Sequence, residues 1–566
     1  MGTQGSPRAR FVIDPPPSAE LRIEIEAIPG VWARRGAILV PDNAVWIVDH
    51  LLESRQARFR KFPGSTPPPA RNARPALSWL HPMVVEPGFL TSYQREGVAR
   101  ALTWPNESGL LVWSAGSGKS LAGILWALSA GPAVSIVVTK AAIRPSWDRQ
   151  IREYTRGVEL RSLIGESPDP AILDVAVKHR GSVLPTPVIF ITGYDTLPAW
   201  IGALERLRPA RVVFDEIHRA KSHQRWDAEQ SWEDEGKVKF SLKDNQAAAC
   251  LRLSRAAQRR LGLTATPIRD RVRDLWAQLD LVRPGDFGGF WPFAKRYCAA
   301  RENPFGGMDT RGSSNLAELQ RRLGFVVHSV PHSLANRSLP PARRLVTFIP
   351  IAQQVRAEGS RNLIRGALKR GAAGLREALL MEAASRKRKI ILDHVLDAID
   401  GKLKIVIFTG RKIDVESIRA AIAKKAPGCP LWAATGEDTP EQREVWRAEF
   451  MASPGPATFV ATGESMGEGL DLQDCDLGIM AMLPYTPGQV IQYEGRWVRL
   501  GMKRPVEIRY FVAEGTIDEH VSAILLEKLP AIERTVDLDE VRGLTSELAG
   551  DESELIASMA AKVLAA

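Results

Sequence analysis

Cysteine is scarce in this chain and scattered where it occurs. Among 566 residues there are four cysteines, with no CxxC pair and no cluster with histidine, at Cys250, Cys298, Cys429 and Cys475. This spacing argues against a zinc site and against a disulfide framework. It favours a reducing, cytoplasmic compartment.

Long apolar runs are also missing. No apolar stretch approaches the ~18 residues that a membrane-spanning helix requires. The first ten residues, MGTQGSPRAR, lack the apolar core of a secretory signal peptide. We therefore expect no membrane contact.

Acidic residues are fewer than basic residues. Lysine and arginine total 76 against 65 acidic residues, which gives a net charge of +11. Such an excess favours a polyanionic partner without identifying it. The length exceeds what one core supports and predicts three or four domains of about 100–200 residues each.

A glycine-rich turn, SAGSGKS at 114–120, lies between the apolar run 109–113 and the apolar-periodic segment 121–128. A strand, a glycine turn and a helix in this order are typical of a phosphate-binding loop. Gly116 and Gly118 have no Cβ, so backbone N–H groups can close around a phosphate at the start of the helix.

The remaining residues of this loop have the side chains that nucleotide binding needs. Lys119 would reach the β- and γ-phosphates, and the Ser120 hydroxyl would take a Mg²⁺ position. Ser117 completes the predicted nucleotide-binding loop. Trp113 stands where the full pattern has its first glycine, so the match is to the shorter GxGKS core. A strand-to-helix turn with a solvated lysine is the alternative at this point.

Apolar runs of strand length alternate with longer amphipathic stretches. The predicted strands form two series, 109–113, 134–138, 188–192, 211–214 and 260–263, and then 403–408, 429–434, 457–461, 477–482 and 506–512. This alternation predicts two α/β lobes, each a parallel sheet wrapped by helices.

The chain divides into five predicted segments. They are a small α+β module with a basic proline-rich linker at 1–88, a first lobe at 89–285 that contains the glycine-rich loop, a basic, mostly helical connection at 286–398, a second lobe at 399–530 and an acidic tail at 531–566.

Two polar stretches stand out within these segments. Residues 223–245 are polar and contain tryptophans, which predicts a mobile loop inserted into the first lobe. The basic run 386–389 is either a solvated helix face or a contact for nucleic-acid phosphates.

An acidic motif supplies the partner that a phosphate loop requires. The apolar strand 211–214 runs directly into Asp215 and Glu216, followed by Ile217 and His218. The end of a buried strand places Asp215 where it can hold Mg²⁺ through water. Glu216 can then orient or deprotonate the attacking water. Together with the lysine of the loop, these acids predict an ATPase.

The order of the motifs resembles that of superfamily two helicases. GKS at 118–120, DEIH at 215–218 and LTATP at 263–267 stand where that superfamily has motifs I, II and III. Further segments resemble motifs of the Swi/Snf-like ATPases in family order, namely LTSYQREGV at 90–98, VVTK at 137–140, IVIFT at 405–409, SMGEGLDL at 465–472 and QYEGRWVR at 492–499. Within that family, SSNLAEL at 313–319 and LPP at 339–341 resemble the annealing-helicase or fork-remodelling branch.

This resemblance implies an α/β fold of two RecA-like parallel-sheet lobes with a basic helical insertion and a small N-terminal α+β module. It implies ATP and Mg²⁺ as cofactors. Gln94 would read the adenine base. Gln492 belongs to motif VI, in which Arg496 and Arg499, spaced i,i+3, would lie on one helix face and act as arginine fingers.

The implied activity is that of a DNA-dependent ATPase that translocates on duplex or branched DNA and remodels or anneals it. We expect a monomer, and a protein partner is left open. Contacts to the DNA backbone are carried over from the family to three positions, Lys140, Thr409 and Ser465. Three alternatives remain: the motor subunit of a restriction or defence complex, an RNA helicase of the DEAH kind, and a non-catalytic DNA-binding scaffold.

Three positions depart from the family pattern. VHSVPH at 327–332 stands where the family has an arginine-rich stretch, so this chain lacks those arginines. Asp471 stands where asparagine is common, and Met502 stands where glutamine is usual.

Overall fold

The computed structural model divides the chain into two compact units. The first comprises residues 1–114 and 118–330, and the second comprises 115–117 and 331–566. The structure describes residues 8–523 with the exception of 14–17, 35–36, 56–58, 63–89, 166–183, 221–241, 266, 269–270, 303–307, 311, 336–338, 354–359, 464–469 and 485–486. Most of the predicted loop at 223–245, most of the linker and the whole acidic tail lie outside the described residues. Among those described, no helix combines the length and apolarity needed to cross a membrane.

A small module opens the first unit. Its elements are β1 (Arg8–Ile13), α1 (Ala19–Glu26), β2 (Trp32–Arg34), β3 (Ala37–Pro41), α2 (Val45–Ser54) and β4 (Phe59–Phe62). The strands pair antiparallel in the order β2-β3-β1-β4. Buried aliphatic side chains, including Ile25, Val40 and Val48, form its core. This is the α+β arrangement expected of the N-terminal module.

A parallel sheet organises the remainder of the first unit. Its strands are β5 (Gly109–Trp113), β6 (Val134–Thr139), β7 (Glu159–Leu163), β8 (Val188–Gly193), β9 (Arg211–Asp215), β10 (Arg259–Thr264) and β13 (Val327–Val330), with a separate hairpin of β11 (Arg301–Glu302) and β12 (Met308–Asp309). The seven strands lie in the order β13-β5-β10-β9-β6-β8-β7. The buried, near-continuous apolar runs of the central strands β5, β6, β8 and β9 are what a sheet covered on both faces requires.

Helices connect these strands. They are α3 (Ser92–Thr103), α4 (Lys119–Leu128), α5 (Arg144–Tyr154), α6 (Leu197–Leu204), α7 (Leu242–Ala256), α8 (Arg273–Val282), α9 (Phe290–Tyr297) and α10 (Leu316–Leu323). Since β5 and β9 both neighbour β10, the phosphate loop and the acidic motif emerge at the same carboxyl edge of the sheet. Ligands of open α/β sheets bind at such an edge.

Arg322 of α10 links the N-terminal module to the rest of the first unit. Its side chain is fully buried. The guanidinium donates to the Pro29 carbonyl at 2.9 Å, to Asn43 Oδ1 at 3.1 Å, to the Asp286 carbonyl at 2.6 Å and to the Tyr297 hydroxyl at 2.8 Å. Because two of these acceptors belong to the module and two to the lobe, one side chain joins both.

A second parallel sheet organises the second unit. Its elements are α11 (His332–Ala335), β14 (Ala342–Ile349), α12 (Ser360–Leu368), α13 (Gly371–Asp400), β15 (Lys404–Thr409), α14 (Lys412–Lys425), β16 (Leu431–Ala434), α15 (Pro440–Ala452), β17 (Ala457–Thr462), β18 (Leu477–Met480), α16 (Pro487–Glu494) and β19 (Val506–Ala513). The strand order is β14-β19-β18-β15-β17-β16, with every pair parallel. The predicted α/β class with two parallel-sheet lobes is confirmed.

The connection predicted at 286–398 contributes to both sheets. Strand β13 joins the first sheet beside β5, and β14 joins the second beside β19. The basic run at 386–389 lies on α13, where three of its members form ion pairs inside the second unit: Arg386 with Glu382, Lys387 with Asp518, and Arg388 with Asp414. Lys387 is fully buried. For these three side chains the structure shows intramolecular partners.

Candidate active site

The phosphate loop has the local geometry that its sequence predicts. Gly116 and Gly118 adopt φ values of 76° and 77°, a left-handed region that glycine enters without strain. Helix α4 begins at Lys119, whose Nζ donates to the carbonyls of Trp113 at 3.0 Å and Ser114 at 3.2 Å. The ammonium group is thus held within the curve of the loop by neutral acceptors. Phosphate oxygens would be stronger acceptors for the same group.

Three neighbours accommodate Trp113, which stands in place of the first glycine of the full phosphate-loop pattern. Its indole Nε1 donates to Nδ1 of His328 on β13 at 3.0 Å. The ring of Tyr93 meets it edge-on, with centroids 5.6 Å apart. Gly97 of α3 faces the same ring so closely that a Cβ there would collide with it. Trp113 therefore ties the loop's strand to both β13 and α3.

His328 acts here as a neutral acceptor. Burial, followed by the positive charge of Arg100, lowers the pKa of His328 to about 4. At neutral pH its Nδ1 can therefore accept the Trp113 N–H. The VHSVPH departure from the family pattern thus supplies an internal contact of the first unit.

Gln94 is buried at the start of α3, where it forms a capping box with Thr91. The Thr91 N–H donates to Gln94 Oε1 at 3.0 Å, and the Gln94 N–H donates to Thr91 Oγ1 at 3.3 Å. This reciprocal pair fixes the amide of Gln94. Adenine recognition by Gln94 stays a prediction.

Asp215 ends β9 and is held by three side chains. Thr139 Oγ1 and Trp147 Nε1 both donate to its Oδ2, at 2.9 Å and 2.8 Å. The hydroxyl of Tyr194 donates to its backbone carbonyl at 2.9 Å. Tyr194 was missed from the sequence, and Thr139 was included only as part of the VVTK segment at 137–140. Their positions after neighbouring strands at one sheet edge were the available signal.

The electrostatics of Asp215 follow from this environment. Burial, followed by the nearby charge of Glu216, raises the pKa of Asp215 to about 6. The hydrogen bonds from Trp147 and Thr139 oppose this rise, as does the charge of Lys119. The carboxylate is therefore ionised at neutral pH.

Glu216 leaves the strand in a left-handed conformation, with φ of 52°. Such a conformation costs a non-glycine residue about 1–3 kcal/mol and is concentrated at functional sites. Glu216 Oε2 lies 3.3 Å from His218 Nδ1, and that nitrogen lies 3.1 Å from Thr264 Oγ1 at the end of β10. His218 thereby connects the acidic motif to the LTATP segment.

The donor set fits Mg²⁺. Ser120, in the first turn of α4, and Asp215 offer hard oxygen ligands. The described residues contain no group of three or more His, Cys, Asp or Glu that could hold a metal alone. A nucleotide-bound Mg²⁺ does not need one, because it takes one or two carboxylates together with phosphates and waters.

The arginines of motif VI lie outside the predicted helix face. Helix α16, which contains Gln492, ends at Glu494, so Arg496 and Arg499 lie in the turns that follow. The expectation of one shared helix face was therefore wrong. Both arginines nevertheless converge on Asp471: Arg496 Nη1 lies 3.5 Å from Asp471 Oδ1, and Arg499 pairs with the same oxygen. The departure from asparagine thus gives both guanidinium groups an anionic partner.

The positions predicted to touch DNA are placed as follows. Lys140 directly follows β6 and is half-buried. Thr409 is the last residue of β15, and its side chain is buried. Ser465 lies outside the described residues. DNA contact at these positions stays a prediction.

Two family models match the chain. The SNF2-related domain matches residues 93–391, and the helicase conserved C-terminal domain matches residues 386–501. Together they span residues 93–501 and leave the N-terminal module unmatched.

Curated relatives include two kinds of protein. The SWI/SNF-related matrix-associated actin-dependent regulator of chromatin subfamily A-like protein 1 of Xenopus laevis is 26% identical over 79% of this chain and 44% of its own length. The human DNA annealing helicase and endonuclease ZRANB3 is 23% identical over 69% of this chain and 35% of its own length. The chain thus spans less than half the length of these two relatives.

A solved structure of the Sulfolobus solfataricus SWI2/SNF2 ATPase core in complex with dsDNA is also similar. It shares 18% identity with a TM-score of 0.37, covering 84% of this chain and 98% of that one. The family assignment comes from the SNF2-related match, which spans more than half of the chain. The chain belongs to the SNF2-related ATPases of helicase superfamily two.

Proposed function

We propose that this chain is a DNA-dependent ATPase that translocates on duplex or branched DNA and remodels or anneals it. The observation that carries the proposal is the gathering of Lys119, Asp215 and Glu216 at one edge of a single parallel sheet. Family membership and the net charge of +11 support it. The name of the relative that is a DNA annealing helicase supports the annealing role.

The strands of the first parallel sheet and the loop that follows β5 supply the groups for binding and cleaving ATP. Backbone N–H groups of the glycine turn and Lys119 bind the phosphates, and Gln94 orients the adenine. Ser120 and Asp215 would hold Mg²⁺, which supplies positive charge to the phosphate oxygens when bound. Glu216 orients the attacking water or accepts its proton.

The second unit supplies cations for the transition state. Charge develops on the γ-phosphoryl oxygens during transfer, and arginine fingers that neutralise it contribute ~10³–10⁵ to turnover in related enzymes. We assign this role to Arg496 and Arg499. Asp471 pairs with both side chains. If the nucleotide phosphates replaced this carboxylate as their anionic partner, the two arginines would contribute to catalysis only when ATP is bound.

Binding to DNA would rely on the phosphate backbone. Lys140, Thr409 and Ser465 are the positions that we assign to it, and none of them implies base recognition. A backbone-dominated interface loses affinity steeply with salt because binding releases counterions.

The proposal is tested by measuring phosphate release with a panel of activators: forks, four-way junctions, plain duplex, single-stranded DNA and RNA. We expect duplex or branched DNA to stimulate turnover and RNA to have no effect. Stimulation by RNA alone would instead favour an RNA helicase. Absence of turnover with every activator would favour the non-catalytic scaffold. The Glu216→Gln variant is the control for contaminating ATPases.

Remodelling needs its own measurement. A labelled model fork incubated with ATP should be converted to reannealed duplex, and the conversion should fail with Glu216→Gln. If turnover is stimulated by DNA while no substrate is rearranged, the annealing role is refuted. The motor of a larger complex would then be the better proposal.

A further inference from the structure

Asp215 carries an unusual pair of hydrogen bonds. The Thr139 hydroxyl and the Trp147 indole N–H both donate to Oδ2, while Oδ1 receives neither. Both donors have fully buried side chains. Rotation of the carboxylate about its Cβ–Cγ bond would break both hydrogen bonds inside a dry interior, where unmade hydrogen bonds are costly.

The two donors are themselves rigid. Thr139 is β-branched and ends β6, the strand that pairs with β9. Trp147 belongs to α5, and its ring lies against α4 at Gly123, where a Cβ would come within 3.0 Å of the ring. Helix α4 also carries Lys119 and Ser120. Trp147 therefore contacts both the acid of the site and the helix that bears the other metal-binding side chain.

We propose that Thr139 and Trp147 are positioning residues for the metal site, which fix the orientation of the Asp215 carboxylate that would hold the Mg²⁺ of a bound nucleotide. The inference rests on the proposed ATPase function. It adds that metal affinity depends on two side chains that touch neither metal nor nucleotide. Outer partners that orient a metal ligand typically change metal affinity by about 10–100-fold when removed.

A purely structural role makes a different prediction. A buried indole N–H or hydroxyl needs a partner for stability alone, and its loss would lower stability at any place in the fold. Trp200 provides the comparison: it is fully buried in the same unit and its Nε1 donates to the Gly165 carbonyl at 3.1 Å. Removal of that bond should cost stability and leave metal affinity unchanged.

The test measures Mn²⁺ binding to the complex of the full-length protein with ADP, by electron paramagnetic resonance, without turnover. Thr139→Val and Trp147→Phe each remove one donor with little change of shape, and we expect each to weaken Mn²⁺ binding about 10-fold. Thr139→Ser restores a hydroxyl and should restore affinity. Trp200→Phe should bind Mn²⁺ as the unsubstituted protein does. Affinity for ADP without metal should stay constant in every variant.

Two results would overturn the inference. One is unchanged Mn²⁺ affinity in Thr139→Val, whatever its melting temperature, since the hydroxyl would then serve stability only. The other is an ADP complex of the unsubstituted protein that binds no Mn²⁺. If Trp147→Phe fails to fold, the Thr139→Val and Thr139→Ser pair decides the question. Because the readout requires no hydrolysis, loss of DNA-stimulated turnover would refute the proposed function separately.

Discussion

His328 should make the stability of the first unit depend on pH. Its Nδ1 accepts the Trp113 N–H, and burial lowers the pKa of His328 to about 4. An unfolded chain would protonate the same histidine near its ordinary value of about 6.5. Between these values the unfolded state binds the extra proton, so stability is complete above pH 6.5 and falls as the pH decreases toward 4.

The size of this effect follows from the two pKa values. Protonation of this one histidine in the unfolded state lowers the free energy of unfolding by about 2 kcal/mol at pH 5 relative to pH 7. Once the pH is below 4, the decrease is about 3 kcal/mol. Carboxylates titrate in the same range, so the useful quantity is a difference between variants. His328→Asn retains an oxygen that can accept the Trp113 N–H but does not titrate. Between pH 7 and pH 5, the free energy of unfolding of His328→Asn should therefore decrease by about 2 kcal/mol less than that of the unsubstituted protein.

Buried cysteines provide an assay that separates the two units. Cys250 lies in the first unit and Cys475 in the second, and both are buried. Urea titrations would be followed by pulse labelling with a pyridyl disulfide that remains reactive at pH 5, and the labelled peptides would be quantified by mass spectrometry. We expect the urea midpoint of Cys250 labelling to decrease more between pH 7 and pH 5 in the unsubstituted protein than in His328→Asn. The Cys475 midpoint is the internal control.

One result would refute this reasoning. If the Cys250 midpoint changes equally with pH in the protein and in His328→Asn, the histidine does not bind its proton preferentially in the unfolded state. An equal shift at Cys250 and Cys475 would likewise show that the effect does not originate at His328.

The remaining predictions concern the ATPase residues and the N-terminal module. Lys119→Ala should abolish phosphate release because the β- and γ-phosphates lose their cation, and a near-normal rate would contradict the site. Glu216→Gln should bind a fluorescent nucleotide normally but turn over slowly, and lost binding would count against its water-orienting role. Arg496→Ala and Arg499→Ala should each reduce DNA-stimulated kcat by ~10³-fold or more while sparing ATP affinity; unchanged rates in both would remove the finger assignment. Arg322→Leu should cost about 3 kcal/mol or more, because buried carbonyls lose their donor, and should release the module to limited proteolysis; unchanged protection would refute the anchor.

Short sequence patterns predicted the elements whose structure depends mainly on neighbouring residues. The strands at 109–113 and 211–214 were placed to within one residue, because buried parallel strands are continuous apolar runs. The sequence predicted the phosphate loop and the acidic motif because each function requires particular residues at a strand end. Phosphate binding requires glycines, and metal binding and water activation require paired acids.

Features that depend on distant residues were not predictable in this way. Strand β13 has a mixed sequence, VHSV, and becomes a strand by pairing with β5, more than two hundred residues earlier. Trp113 was interpreted only as a missing glycine, because its partners His328 and Gly97 are brought to it by the tertiary fold.

Helix α16 shows the same limit. The spacing of Arg496 and Arg499 is compatible with a helix, but the backbone ends the helix at Glu494. There the buried Glu494 carboxylate pairs with Arg344 of β14 at 2.6 Å and accepts a hydrogen bond from Tyr510 of β19. These partners lie outside the motif; within it, the glycine at 495, directly after the last helical residue, was the available signal for the end of the helix.

The central claim is that Lys119, Asp215 and Glu216 form the ATPase site of a DNA-driven motor. The most direct test is the rate of phosphate release by the full-length protein with and without duplex DNA, at low and high salt, beside Lys119→Ala. We predict release that rises with DNA, declines steeply with salt and is absent from the variant. Release that is no faster than in Lys119→Ala, with or without DNA, would contradict the account.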